Sequence, residues 1–221
     1  MINHIICIIC LAIGYLFGSF QTAYFLGRLE HVDVRKKGSG NLGTTNMFRV
    51  LGAKDGIITF FGDIIKVFVA VLIVFLVFKV GFRCDVPRQT LFLYTGFGAV
   101  LGHDFPFYLG FKGGKGVAAT AAAWICLLDW RMIIIGVAVF FIIAFATKYV
   151  SLASLCLAFV CFIVFTVLTL TGLIDIGGIW KIESIVIVFL MSALIFFNHR
   201  ANIGRLIRGE ENKFTVKKKK A

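Results

Sequence analysis

Leu152-Ala-Ser-Leu-Cys-Leu-Ala-Phe-Val-Cys-Phe-Ile-Val-Phe-Thr-Val-Leu-Thr-Leu-Thr-Gly-Leu173 runs without a single charged residue. At about 1.5 Å of rise per residue, a helix of this length covers the roughly 30 Å hydrocarbon core of a bilayer. A membrane-spanning helix is the reading, and it sets the scale for the rest of the chain. Apolar runs near Ile5–Leu26, Gly56–Phe78, Gln89–Leu101, Val117–Leu128, Met132–Thr147 and Ile182–Phe197 join it as candidate spans. The third and fourth in chain order fall short of a crossing, which is tolerable if neighbouring helices bury them and the glycine-rich loop between them extends them. The expected fold is an all-α integral membrane protein of seven transmembrane helices.

Composition agrees. Of 221 residues, 60% are hydrophobic, 15% are charged and only two are proline, which excludes an ordinary soluble domain. No linker, low-complexity segment or repeat interrupts the chain, so residues 1–221 read as one transmembrane domain with 214–221 as a basic tail. The first apolar segment lacks the positive start and Ala-x-Ala site of a signal peptide. Seven crossings with the N-terminus outside put 17 of the 23 Lys and Arg residues on the cytoplasmic side and five outside, with Lys66 inside a span. That asymmetry orients the chain with its C-terminus in the cytoplasm. The net charge of +12 then points to anionic membrane lipids rather than nucleic acid, for which no readout module is present. The six cysteines form neither a disulfide framework nor a metal-ligand pattern.

Three polar, glycine-rich stretches interrupt the apolar runs, all on the predicted cytoplasmic side. They are Gly38–Arg49, Gly102–Gly116 and Asn198–Glu210. Glycine lets backbone N–H groups approach an anionic oxygen, and flanking Lys, Arg, Ser and Asn add donors. The first stretch offers Ser39, Asn41, Thr44, Thr45, Asn46 and Arg49, though a capped interfacial helix would use the same residues. In the second, Phe111-Lys-Gly-Gly-Lys-Gly116 lacks the spacing of a nucleotide-binding P-loop. It leaves two lysines at a helix start, where N–H groups and the dipole favour an anion; a tight turn with inside-positive lysines is the alternative. The third stretch supplies His199, Arg200, Asn202, Arg205 and Glu210, or else a snorkelling helix end with structural Arg–Glu pairs. His103 and His199 are the histidines beside these loops. Ser151 and Ser154 fall in the remaining inner loop. Asp63 and Lys66, at i and i+3 inside the second span, can neutralise each other.

Taken in order, Gly-Ser-Gly-Asn-x-Gly-x-Thr-Asn…Arg, Gly-His-x-Phe-Pro…Phe-Lys-Gly-Gly-Lys-Gly-Val-Ala and His-Arg-x-Asn-Ile-x-Arg-Leu-x-x-Gly-Glu resemble the acyl-phosphate-dependent glycerol-3-phosphate acyltransferases of bacteria, the PlsY family. The resemblance covers nearly the whole chain. It departs at Thr44, Gln21 and Val67, where the family commonly has Ala, Pro and Gly, and none of these removes a polar group from the three loops. The resemblance implies seven transmembrane helices in the bacterial plasma (inner) membrane, with active-site loops facing the cytoplasm. It implies transfer of a fatty acyl group from acyl phosphate to the 1-hydroxyl of glycerol-3-phosphate, giving lysophosphatidic acid and phosphate, the first acylation of phospholipid synthesis.

Residues and resemblance together assign catalytic roles to Ser39, His199 and Asn202. They assign substrate binding to Arg49, Asn46, Lys112, Gly113, Gly114, Lys115, Gly116 and Ser151, with Glu210 supporting the third loop. The implied partners are acyl phosphate, glycerol-3-phosphate, anionic lipids and the soluble enzyme that makes acyl phosphate. Neither cofactor nor metal is expected. An acyl phosphate carries a good leaving group, so positioning and electrostatics suffice, and the hydroxyl proton goes either to His199 or to a substrate phosphate oxygen. The competing class is an organic-anion transporter, which would place its anion site near the bilayer midplane on broken helices.

Overall fold

The computed structural model describes residues 2–216. The Lys217–Lys220 run of the basic tail, Met1 and Ala221 lie outside the described residues. Within them the chain is helical, without strands. The first span is two pieces, α1 (Ile2–Gly18) and α2 (Thr22–Leu29). After α3 (Thr44–Val50) comes α4 (Ala53–Val74), which continues as a π-helical segment over Phe75–Gly81. Then follow α5 (Arg88–Asp104), α6 (Val117–Ile125), α7 (Trp130–Thr147), α8 (Val150–Leu170), α9 (Gly178–Asn198) and α10 (Arg200–Ile207).

Among the described residues, five segments are long and apolar enough to cross a membrane by themselves: Ile2–Leu29, Ala53–Gly81, Trp130–Thr147, Val150–Leu170 and Gly178–Asn198. The expected third and fourth spans, α5 and α6, are not among them. α5 has 17 residues and carries Thr90, Thr95, Gly96 and Gly98 on buried positions, because it is enclosed by protein rather than lipid. α6 has nine residues, about 13.5 Å of helix. Its far end, at Ile125, Cys126 and Leu128, reaches a recess shared with Arg88 and Phe92 at the start of α5, so the two run in opposite directions.

α1 and α5 pack backbone to backbone. A Cβ on Gly14 or Gly18 would strike the carbonyls of Thr95 and Ala99, and one on Gly98 or Gly102 those of Leu11 and Tyr15. Small residues let the helices close where lipid supplies no hydrophobic drive between them. The break between α1 and α2 leaves backbone groups that water cannot reach. Side chains satisfy them: Tyr108 Oη donates to the Ser19 carbonyl (2.9 Å), and Lys66 Nζ to that of Phe20 (2.8 Å).

A second, small apolar cluster of Ala23, Val34, Leu42, Met47 and Val50 folds the first loop onto α2. Asn46 clasps that loop from inside. Its side-chain oxygen accepts from the Ser39 N–H (2.8 Å), and its amide donates to the carbonyls of Val34 and Lys37 (both 3.2 Å).

Candidate active site

The three polar stretches converge on one cavity of about 320 Å³. The first loop and α3 bring Ser39, Asn46 and Arg49, and the second loop brings Lys115 and Gly116. α8 contributes Ser151 and Ser154, and the third stretch His199, Asn202 and Arg205. Behind this polar end the same cavity is apolar. It is walled by Ala118, Ala121 and Trp124 of α6, Met132, Gly136 and Phe140 of α7, Leu157 and Cys161 of α8, and Phe60 and Ile64 of α4. Its lining on α8 includes both Ser151 and Cys161, ten residues or about 15 Å apart along the helix.

His199 sits where α9 ends. Its Nδ1–H donates to the Ile195 carbonyl (2.8 Å), which leaves Nε2 as a lone-pair acceptor. Burial and then the Lys115 charge push its pKa down to about 4, so the ring is neutral at physiological pH. Lys115 donates to the Asn202 side-chain oxygen. Its own pKa is pushed down to about 8, by burial first and by Arg205, against the opposing pull of Glu211.

Glu211 ties the site together. Its Oε1 accepts from Asn202 Nδ2 (2.7 Å) and Ser151 Oγ (3.1 Å), and its Oε2 from Arg205 Nε (2.7 Å). Burial pushes this carboxyl up, but the three hydrogen bonds outweigh it and hold it below the usual range. Glu210, the expected support, turns outward instead and pairs with the exposed Arg208 (2.7 Å). Gly209, in the left-handed region at φ +71°, ends α10 just before these two carboxylates. Beyond them the chain crosses the mouth of the cavity. The Phe214 N–H donates to the Lys148 carbonyl (2.8 Å) and its ring meets Phe48 edge-on.

The second loop folds back on the end of α5 through Gly113 N–H to the Asp104 carbonyl (3.0 Å) and Gly114 N–H to the His103 carbonyl (2.9 Å). Its glycines are required by this packing. A Cβ on Gly113 would meet the His103 carbonyl and Pro106, and one on Gly114 the His103 ring. Lys112, Gly113, Gly114 and Glu210 are not in the cavity wall, whereas the other expected site residues are. Asn46 lines the cavity but spends its amide on its own loop. Arg49 lines it with no carboxylate in ion-pair reach among the described residues.

Asp63 and His103 also line the cavity. Asp63 Oδ1 pairs with Lys66 Nζ at 2.9 Å, and Lys66 Nζ lies 2.8 Å from His103 Nδ1. The sequence signal was a charged i, i+3 pair inside an apolar helix; that His103 completes it depends on the packing of α4 against α5. Among the described residues no three His, Cys, Asp or Glu side chains cluster as metal ligands.

Residues 8–209 match the family model described as glycerol-3-phosphate acyltransferase. A glycerol-3-phosphate acyltransferase of Staphylococcus aureus (strain bovine RF122 / ET3-1) is 38% identical over 212 residues, covering 93% of this chain and 96% of the relative. That of strain JH9 aligns with the same identity and coverage. Two crystal structures of PlsY, an integral membrane glycerol 3-phosphate acyltransferase, superpose on the fold at 32% identity. The glycerol 3-phosphate form has a TM-score of 0.78 and covers 95% of this chain and 96% of that one. The lysophosphatidic acid form has a TM-score of 0.75, with 95% of each chain covered. With the family model spanning most of the chain and relatives aligned over nearly all of it, the protein belongs to the glycerol-3-phosphate acyltransferase family.

Proposed function

We propose that this chain moves a fatty acyl group from acyl phosphate to the 1-hydroxyl of glycerol-3-phosphate, releasing lysophosphatidic acid and inorganic phosphate. The observation that carries this reading is a single cavity with a cationic, hydroxyl-rich end and an apolar end, which together take up about 15 Å of α8. It suits a phosphorylated polyol meeting a fatty chain. The glycerol-3-phosphate phosphate is held by Arg49 and Arg205, and the acyl phosphate phosphoryl group by Lys115 and the free N–H groups at the start of α6. Ser39 positions the polyol. Ser151 and Asn202 act through Glu211, which holds the third stretch in place. The glycerol oxygen attacks the acyl carbonyl carbon, its proton passes to His199 Nε2, and the carbon–oxygen bond to phosphate breaks. Two bound phosphates beside the ring raise its proton affinity above that of the free site. The proton then leaves with the phosphate.

The polar end faces the cytoplasm in this reading, with seven crossings, the N-terminus outside and a plasma-membrane location, supported by the division of basic residues. A soluble enzyme making acyl phosphate would then deliver its product from the same side. Metal-independent chemistry follows from a leaving group that needs no Lewis acid and from cations supplied by Arg and Lys. Detergent-purified protein given acyl phosphate and labelled glycerol-3-phosphate is expected to form 1-acylglycerol 3-phosphate in the presence of EDTA. Product from acyl-CoA but not acyl phosphate would reassign the donor, and EDTA inhibition reversed by a divalent ion would overturn metal independence.

A further inference from the structure

Lys66 Nζ has three neighbours within hydrogen-bond distance: the Phe20 carbonyl (2.8 Å), Asp63 Oδ1 (2.9 Å) and His103 Nδ1 (2.8 Å). An ammonium has three protons and no lone pair, so each neighbour receives one and His103 Nδ1 is an acceptor. The ring's own proton is therefore on Nε2. The histidine is also held through its backbone, since its carbonyl accepts from Gln21 Nε2 (2.8 Å) and the Gly114 N–H (2.9 Å). Among the described residues no protein group accepts from Nε2. Gly114 packs closely on this part of the ring, where a Cβ would fall on Nε2, Cδ2 and Cε1. The ring is only 3% exposed, yet it forms part of the cavity wall with Asp63 and Lys115.

We infer that His103 is a fixed, neutral N–H donor to a substrate oxygen, a catalytic residue held in one tautomer by Lys66. The inference rests on the acyl-transfer reading above. Arg49, Arg205 and Lys115 already offer full positive charges to the phosphate groups. A neutral, buried and preoriented N–H is worth most to charge that appears only in the transition state, as it does on the acyl carbonyl oxygen when the hydroxyl attacks. Lys66 and Asp63 are positioning residues in this scheme: Asp63 neutralises the ammonium that fixes the ring.

Two substitutions separate this role from a structural one. His103→Asn keeps an oxygen near the Nδ1 position to accept from Lys66 but has nothing at Nε2, whereas His103→Gln places an amide donor near Nε2. Removing one such donor costs about 100-fold or more in kcat. His103→Asn is expected to lose that much with a melting temperature near wild type, and His103→Gln to recover at least about tenfold of it. A loss in kcat assigns the donor to the developing oxyanion; a loss confined to KM assigns it to a ground-state phosphate, and either supports the inference. Wild-type turnover in His103→Asn, or equal losses in both variants, overturns it. Nitrogen NMR of ¹⁵N-histidine-labelled wild-type protein gives an answer independent of folding of the variants and of the identity of the acyl donor. The His103 Nε2–H resonance is expected to shift on adding lysophosphatidic acid; an Nδ1–H tautomer, or no shift at saturation, overturns the inference. Failure of the wild type to use acyl phosphate would instead overturn the proposed donor.

Discussion

His103 and His199 line one cavity with their Nδ1 atoms used in opposite senses: that of His103 accepts from Lys66 Nζ, and that of His199 donates to the Ile195 carbonyl. Two rings of the same chemistry therefore present opposite faces to a ligand. Nε2 of His199 offers a lone pair and Nε2 of His103 a proton. Both come from the partners that α4 and α9 supply, without any net charge on either ring. A hydroxyl that must lose a proton and a carbonyl that must gain negative charge need that division.

The pH dependence follows from two groups. His199 accepts a proton only while neutral, and Lys115 holds an anion only while charged. Their pKa values of about 4 and about 8 place the limits of kcat/KM, which falls as pH drops through the first or rises through the second. Lys115→Arg keeps its charge and is expected to move the alkaline limb upward. A limb that stays near 8 in that variant would belong to another group.

Arg49 reaches the cavity with its guanidinium unpaired among the described residues, so its charge is available for a phosphate. Two parallel hydrogen bonds to one phosphate are beyond a lysine ammonium. Arg49→Lys is expected to insert and fold normally yet lose roughly tenfold or more in kcat/KM for glycerol-3-phosphate, about 1.4 kcal/mol of transition-state stabilisation. Steady-state kinetics on the purified variant check this, and unchanged kinetics would make Arg49 a topological anchor.

The adjacent carboxylates Glu210 and Glu211 are expected to behave very differently. Glu211→Ala leaves Asn202, Arg205 and Ser151 without their shared acceptor and is expected to cut activity at least tenfold while lowering the melting temperature. Glu210→Ala removes an exposed pair with Arg208 and is expected to change stability by less than about 0.5 kcal/mol. Thermal unfolding and kcat/KM measured side by side would reveal a reversal.

Cys84 lies in the connection between the π-helical segment and α5, partly exposed. Under the proposed orientation it labels with an impermeant thiol reagent from outside intact cells. Labelling only after permeabilisation would turn the protein over in the membrane.

The long spans were legible because lipid demands one continuous apolar run, as in α8. α5 was legible only as a short span, since a helix wrapped by other helices gains from Gly and Thr what a lipid-facing one gains from Leu. The break at Ser19–Gln21 shows in the sequence only as Ser19, Gln21 and Thr22 within an apolar run, and the groups that satisfy its carbonyls, Tyr108 and Lys66, come from far along the chain. In the polar loops, residue type announced the chemistry but not the direction of each side chain. Sequence reasoning assigns the supporting role to Glu210 and passes over its neighbour Glu211, yet it is Glu211 that turns inward to Asn202, Arg205 and Ser151. The second-loop glycines read as anion contacts, and nothing in the sequence signals that the end of α5 also lies against Gly113 and Gly114.

The seam between α1 and α5 bears on how such a protein can diverge. Gly14, Gly18, Gly98 and Gly102 each face a carbonyl of the opposite helix rather than a side chain that could rearrange. A methyl group at any of them would meet main chain, which a change of neighbouring side chain does not move aside. The wall of the cavity that carries His103 is therefore the one with least room for substitution. Drift in acyl-chain preference is left to α6, α7 and α8, where the neighbours are side chains that can give: a Cβ on Gly136 would meet Cys161 Sγ and Leu157 Cδ1 at 3.3 Å, so α7 and α8 change together.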